Sequence, residues 1–299
     1  MFGFLNVNKP AGPTSHDIVA QIRRLLPRKT KVGHAGTLDP FAEGVLVVCI
    51  GPATRLASYV QNYPKRYRAC ITLGSTSTTD DIEGKITAVS APEIPNCQQV
   101  ENALRKFVGQ ISQIPPAHSA VHVNGQRAYK LARTGQELSI APRKVNIHSV
   151  ELVRYEYPLL EIDVRCSQGT YIRSLARDIG NELGTGGYCN HLWRTEIGSF
   201  RIDEAAKPHL IDLGRDIIPP LAALTKMPKL TVDDKLLEDI ARGKSIPLDE
   251  LETEQSGTTA TELALLDRTG RLAALAKSDA DSGQIRPTKV FISPGCKRN

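Results

Sequence analysis

The run Gly44–Ile50 constrains the fold most. Its seven residues, GVLVVCI, lack any charged or polar side chain and are stopped by Gly51-Pro52. A short apolar run rich in β-branched side chains between turn signals reads as a buried strand. It follows closely on Gly33-His34-Ala35-Gly36-Thr37-Leu38-Asp39-Pro40, which carries two glycines, a proline and few apolar side chains. That composition marks a loop with demanding backbone angles. Any fold for this chain must bury the strand and hold the loop beside it.

At 299 residues the chain suggests two domains. Pro219-Pro220 and the basic stretch Lys226–Lys229 interrupt the pattern, so the domains are placed at residues 1–225 and 226–299. Hydrophobic residues make up 40% and aromatic residues 5%, which predicts a sizeable core built mostly from aliphatic side chains. The net charge of +6 fits a polyanionic partner, because Lys and Arg neutralise phosphates and release counterions. Many soluble proteins are as basic, so charge admits nucleic acid without selecting it. Six cysteines form no Cys-x-x-Cys pair and none has a His at ligand spacing, which argues against a zinc site and a disulfide framework. Met1–Pro10 lacks a charged segment followed by an apolar one, and no apolar run approaches the ~18 residues of a membrane span. A cytoplasmic protein without a membrane partner is expected.

Phe2–Val7 reads as a strand, and Thr14 or Ser15 caps a helix with Ile18, Val19, Ile22, Leu25 and Leu26 as its apolar stripe. A short helix is predicted over Arg55–Tyr59, a strand over Arg66–Leu73, and another over Ile82–Val89 after the turn-rich Ser75–Asp81. Cys97–Val108 reads as a helix, Pro115–Val123 as extended, and Arg127–Arg133 as a short basic helix. Val145–Tyr155 and Leu159–Cys166 form a hairpin, Tyr171–Leu183 a helix, and Thr195–Phe200 a strand. Beyond the break come a helix over Asp233–Arg242, strands over Leu263–Leu266 and Leu272–Ala276, a polar loop over 250–262, and a short strand at Val290–Ile292. Strands and helices without strict alternation make this an α+β chain, with a mixed, mainly antiparallel sheet and a small β-rich C-terminal domain.

Asp39 is the one carboxylate in the glycine loop. The proline after it favours an extended conformation, and the glycines let another backbone or a ligand approach. An Asp that accepts backbone N–H bonds in a turn fits this segment as well. On the segment alone, both readings stand.

Four segments in order resemble the TruB family of pseudouridine synthases. They are Asn8-Lys9-Pro10-Ala11-Gly12-Pro13-Thr14-Ser15, the loop from Gly33 to Leu46, Lys65-Arg66-Tyr67 with Leu73-Gly74, and Gly169-Thr170-Tyr171-Ile172-Arg173-Ser174-Leu175-Ala176-Arg177-Asp178. The resemblance runs through most of residues 2–200. It implies isomerisation of uridine at position 55 in the T loop of tRNA, with Asp39 as nucleophile. Arg173 would be its ion-pair partner, Tyr67 would stack on the target base and help move the C5 proton, and Tyr171 would help hold the nucleophile. His34 would help flip the base, which is needed because stacking hides both C5 and the glycosidic bond.

Asp80 and Asp81 read as turn residues or as hydrogen-bond partners in the cleft, with Asp81 counted among the RNA-binding candidates. The RNA surface is expected to draw on Lys9, Lys65, Arg66, Arg127 and Lys130, with further basic side chains at Arg23, Arg24, Arg28, Lys29, Lys31, Arg68 and Arg133. Such side chains position phosphates rather than read sequence. The C-terminal domain takes the place of the family's PUA-like RNA-binding domain, with Arg286–Phe291 resembling its end. No metal or cofactor is expected, since the isomerisation is redox-neutral, and a monomer acting on the tRNA T stem-loop is expected. A different class, a non-catalytic tRNA-binding or folding module on the same scaffold, is the alternative. The chain departs from the family at His122, where lysine is usual, and at Tyr188 and Trp193.

Overall fold

A computed structural model describes the chain except residues 91, 117–121, 124–125, 128–139, 248–260, 280–282 and 294–299; at His122, Val123, Gln126 and Arg127 it describes the backbone. In chain order the strands are β1 (Gly3–Lys9), β2 (Val32–His34), β3 (Glu43–Ile50), β4 (Lys65–Leu73), β5 (Ser75–Ser77), β6 (Ile86–Ala88), β7 (Gly109–Gln113), β8 (His122–Val123), β9 (Gln126–Arg127), β10 (Arg143–Glu156), β11 (Leu159–Cys166), β12 (Gly187–Ile197) and β13 (Phe200–Arg201). The C-terminal strands are β14 (Lys229–Thr231), β15 (Ile246–Pro247), β16 (Glu262–Leu266), β17 (Leu272–Asp279) and β18 (Gln284–Val290). Helices cover Ser15–Arg24, Ala57–Asn62, Cys97–Arg105, Ile172–Glu182 and Asp234–Ala241.

The main sheet runs β1-β3-β12-β4-β11-β10-β7, with β2 on β3 and β13 on β12. β12 pairs antiparallel with β4, and β4 with β11, whereas β12 and β3 run parallel. The fold is therefore α+β with a mainly antiparallel sheet. Alternation along β4 and β11 puts Ala69, Ile71, Leu160, Ile162 and Val164 on one buried face, where Ile172, Leu175 and Ile179 of the Ile172–Glu182 helix pack. Each of these large aliphatic side chains contributes about 1.5–3 kcal/mol by leaving water.

The chain divides into two compact units. The larger comprises Leu5–Val48 and Val60–Asp216. The smaller comprises Met1–Phe4, Cys49–Tyr59 and Ile217–Asn299. Its five strands run β14-β16-β17-β18-β15. Leu236 and Ile240 of the Asp234–Ala241 helix join Leu263, Leu265, Ala274, Ala276 and Ile285 in its core.

Several elements differ from the sequence-based expectations. β12 is eleven residues long and central, where only its end was predicted. Asn190, His191 and Arg194 break the apolar pattern, and register shifts at Cys189/His191 and Arg194/Glu196 break the alternation. Ile82–Val89 holds only β6, paired with β5 inside the stretch read as turns. Asp81 accepts from the Glu83 N–H at 3.0 Å and so makes a turn of the first residues. The last strand ends at Val290, where one was predicted to start. Pro287 obscured it, but the register shift on β17 at Leu275/Ala276 falls opposite Pro287, where a missing donor is tolerated. Gln126–Arg127 is extended, so no helix begins at Arg127; the remainder of that expected basic helix, Lys130 and Arg133 included, lies outside the described residues.

Gly44 shows how tightly β3 meets β12. Its φ is +103°, and a Cβ there would lie 2.2 Å from the Arg194 carbonyl oxygen. Gly44→Ala is expected to cost about 3 kcal/mol, from backbone strain and overpacking together. A urea midpoint equal to wild type would contradict this.

Candidate active site

Thr14 caps the Ser15–Arg24 helix in a capping box: its side chain accepts from the Asp17 N–H, and the Asp17 carboxylate accepts from the Thr14 N–H. That leaves Ser15 free for other work. Its hydroxyl donates to the Leu38 carbonyl and accepts from the Leu38 N–H, both at 2.9 Å. Lys9 at the end of β1 is fully buried, and its ammonium donates to Pro10 (2.8 Å), Pro40 (3.1 Å) and Ala42 (2.7 Å) carbonyls. From β12, Arg194 donates to the carbonyls of Gly36, Thr37 and Val45. The loop carrying Asp39 is thus tied on both sides by side chains from three separate elements.

Asp39 sits at the floor of a cleft of about 600 Å³, lined also by His16, Lys65, Tyr67, Thr170, Tyr171, Arg173, Leu192 and Arg194. Its side chain keeps 34% of its exposure, toward the cleft mouth, while protein surrounds it on the other sides. Burial therefore pushes its pKa above the ordinary carboxylate value, and Arg173 opposes that push. The Arg173 Nε lies 3.0 Å from Asp39 Oδ2, and its Nη1 lies 2.8 Å from Asp81 Oδ2. Arg173 is 4% exposed and stands in the first turn of its helix, where the dipole disfavours a cation. Two carboxylates and the Thr79 carbonyl offset that cost. Behind this pair lies a second: Arg177 binds Asp80 and Asp178, and Asp80 itself holds a left-handed backbone at φ +61°.

Tyr67 is buried on β4, and desolvation raises its phenol pKa, with Arg194 acting in the opposite direction. Tyr171 precedes the Ile172–Glu182 helix. Gln113 clamps its main chain, accepting from its N–H at 2.8 Å and donating to its carbonyl at 3.0 Å. The Arg143 guanidinium lies 5.5 Å from the Tyr171 ring centre.

The residues expected on the RNA surface scatter. Lys9 is sealed beneath the loop, so it holds the fold of the site and has no face toward a ligand. Asp81 is equally enclosed, as the partner of Arg173. Lys65 lines the cleft, and its ammonium donates to the carbonyls of Gln61 and Tyr63. Arg66 lies on the opposite face of β4 from Tyr67, paired with Asp163 and Glu196. His34, at the end of β2, is half-buried beside the cleft, with its ring edge-on to His16 at 5.5 Å. Gln113 and Arg194 were not singled out by the sequence, and Ser15 was read only as a possible helix cap and a motif residue. Their partners are main-chain groups far away in the chain, which carry no sequence signature. Among the described residues no cluster of three or more His, Cys, Asp or Glu side chains is disposed to hold a metal ion, and no helix is long and apolar enough to cross a membrane.

Lys9 makes a pH prediction. Burial lowers its pKa from 10.5 to about 8. Between those values the unfolded chain binds a proton that the native protein has released, so this group makes stability rise with pH from about 8 upward. Below 8 the cost of the buried charge is present in full. Lys65 is lowered to the same value. Its effect cancels in a comparison of wild type with Lys9→Met. The difference in urea midpoint is expected to move toward wild type between pH 8 and pH 10. A flat difference would mean that Lys9 stays charged.

The profile described as TruB family pseudouridylate synthase (N terminal domain) matches residues 23–172. A Dehalococcoides mccartyi protein named tRNA pseudouridine synthase B is 40% identical over 309 residues, covering 100% of this chain and 99% of that protein. A protein of the same name from Thermosipho melanesiensis is 40% identical over 286 residues, covering 94% and 93%. Among solved structures, a chain of a Cbf5-Nop10-Gar1 complex superposes with a TM-score of 0.74 at 26% identity, covering 98% of this chain and 85% of that one. A chain of an H/ACA RNP bound to a substrate RNA containing 2'-deoxyuridine gives 0.74 at 24% identity, covering 98% and 86%, and bears on the fold alone. These similarities place the chain among the pseudouridine synthases, isomerases that act on uridine. It belongs to the TruB family of these enzymes.

Proposed function

We propose that this protein converts the uridine at position 55 in the T loop of tRNA to pseudouridine, with Asp39 as the nucleophile. The observation that carries the reading is the ion pair at 3.0 Å between Asp39, open to the cleft, and Arg173, which is sealed beneath it. Arg173 favours the ionised carboxylate, the form a nucleophile requires, against the push of burial. The relatives named tRNA pseudouridine synthase B, matched along nearly their whole length, support tRNA as the substrate.

The reaction breaks N1–C1′, turns the base, joins C5 to C1′, and exchanges the C5 proton for one on N1. Asp39 bonds to the sugar or the base and leaves again, so atoms and electrons balance. Tyr67 stacks on the flipped base and takes part in moving the C5 proton. Tyr171 walls the same cleft. His34 and Lys65 contact the RNA where it enters the cleft, and Arg127 and Lys130 supply further RNA contacts. The chain acts as a monomer in the cytoplasm, with residues 1–225 as the catalytic domain and residues 226–299 as a PUA-like RNA-binding domain.

The test is carbodiimide mapping of pseudouridine in a full tRNA transcript treated with the protein. One new modified site, at position 55, is expected, and it should vanish when that uridine is replaced by cytidine. Modification elsewhere alone would refute the position. Tight binding with no modification would favour a tRNA-folding module.

A further inference from the structure

Among the described residues, Arg194 is the largest fully enclosed side chain, at 2% exposure. It lies on β12 opposite Tyr67 of β4 and, in the parallel pair with β3, opposite Gly44. Its Nε donates to Val45 at 2.8 Å, its Nη1 to Thr37 at 3.2 Å, and its Nη2 to Gly36 at 3.0 Å. Two of these carbonyls come just before Asp39 and one comes after it. The planar fork therefore bridges the loop and the strand that follows.

We propose that Arg194 is a positioning residue for the isomerisation, holding the Gly36–Asp39 turn so that the Asp39 carboxylate stays aimed into the cleft. The inference rests on Asp39 being the nucleophile. A lysine does not reproduce the fork, because its donors all radiate from one nitrogen, whereas Arg194 donates from three separate nitrogens. Burying a charge is costly, and apolar packing often holds a fold as well. The charge gains its value from what faces it. Arg194 favours the ionised form of Asp39 and of Tyr67 alike. The groups that interact electrostatically with Asp39 include Arg173, Asp81, Arg194, Lys9, Tyr67, Glu83 and Cys189. Removing Arg194 leaves the Arg173–Asp39 ion pair in place, so that pair survives while the aim and part of the field are lost.

The test uses the full chain carrying Arg194→Lys, Arg194→Gln or Arg194→Met, at a temperature where circular dichroism shows each variant folded. Single-turnover tritium release from a C5-labelled T-arm RNA is followed from pH 5 to pH 9, and RNA affinity is measured by filter binding. Arg194→Lys is expected to bind RNA within about 3-fold of wild type and to release label ~100-fold more slowly, the scale of a misplaced reacting group. Arg194→Gln is expected, in addition, to move the acid limb of the pH profile upward. Rates that fall only in proportion to the folded fraction, with an unmoved profile, would overturn the proposal. So would unchanged rates, or failure of all three variants to fold. Asp39→Ala in the same assay separates the two claims. If it turns over normally, the nucleophile reading fails. If it is inactive while the Arg194 variants are fully active, only this inference fails.

Discussion

Asp39→Ala is expected to release no tritium above background from C5-labelled uridine in T-arm RNA, while binding that RNA as wild type does. Removing a nucleophile eliminates a covalent step that nothing else in the site supplies, and losses on the order of 10⁴ or more are typical for such groups. Binding survives because the rest of the cleft wall is untouched. The loop should also keep its shape, because Ser15, Lys9 and Arg194 hold its main chain and not the Asp39 side chain. Asp39→Asn makes the argument sharper, since it keeps the volume and removes only the charge. The wild-type rate should fall as pH drops through a pKa above the ordinary carboxylate range, because burial raises that of Asp39. Normal turnover by either variant would remove Asp39 from the mechanism.

How far the sequence went can be judged from single residues. Alternation along Arg66–Leu73 made β4 legible, Leu159–Cys166 read as the strand β11, and the two pair over the whole of β11. β12 escaped because its buried face includes an arginine and two irregularities interrupt its period. β18 escaped because a proline inside a strand normally argues against one. In the site, the positions of Asp39, Tyr67 and Arg173 were legible only through motifs, since nothing local to the three predicts that they meet. Lys9 and Asp81 were counted among the RNA-binding candidates, although Asp81 was also read as a hydrogen-bond partner in the cleft; charged residues are seldom fully buried without a partner. Their partners are the Pro40 and Ala42 carbonyls and the Arg173 guanidinium, all supplied by the fold. Arg194 was illegible for the same reason: carbonyl acceptors carry no sequence signature.

Arg173→Leu is expected to cost about 3–5 kcal/mol of stability and to abolish turnover. The stability loss comes from the carboxylates it abandons, since breaking a buried pair leaves a charge without compensation. Asp81 is the greater liability, because Asp39 still faces the cleft while Asp81 is enclosed. This separates two effects of the same arginine. In Arg173→Leu/Asp81→Asn the buried charge is gone from both sides, so the double variant should recover part of the stability, about 1–2 kcal/mol over Arg173→Leu. It should recover none of the activity, because Asp39 would still lack the cation that favours its ionised form. Arg173→Lys keeps a charge but cannot reach both carboxylates with the same geometry. It should fold and work ~100-fold or more below wild type. The decisive comparison is thermal stability against single-turnover rate across these three variants. If activity returned together with stability in the double variant, Arg173 would be a structural brace, and the ionisation of Asp39 would have to be explained by Arg194 and Lys9 alone.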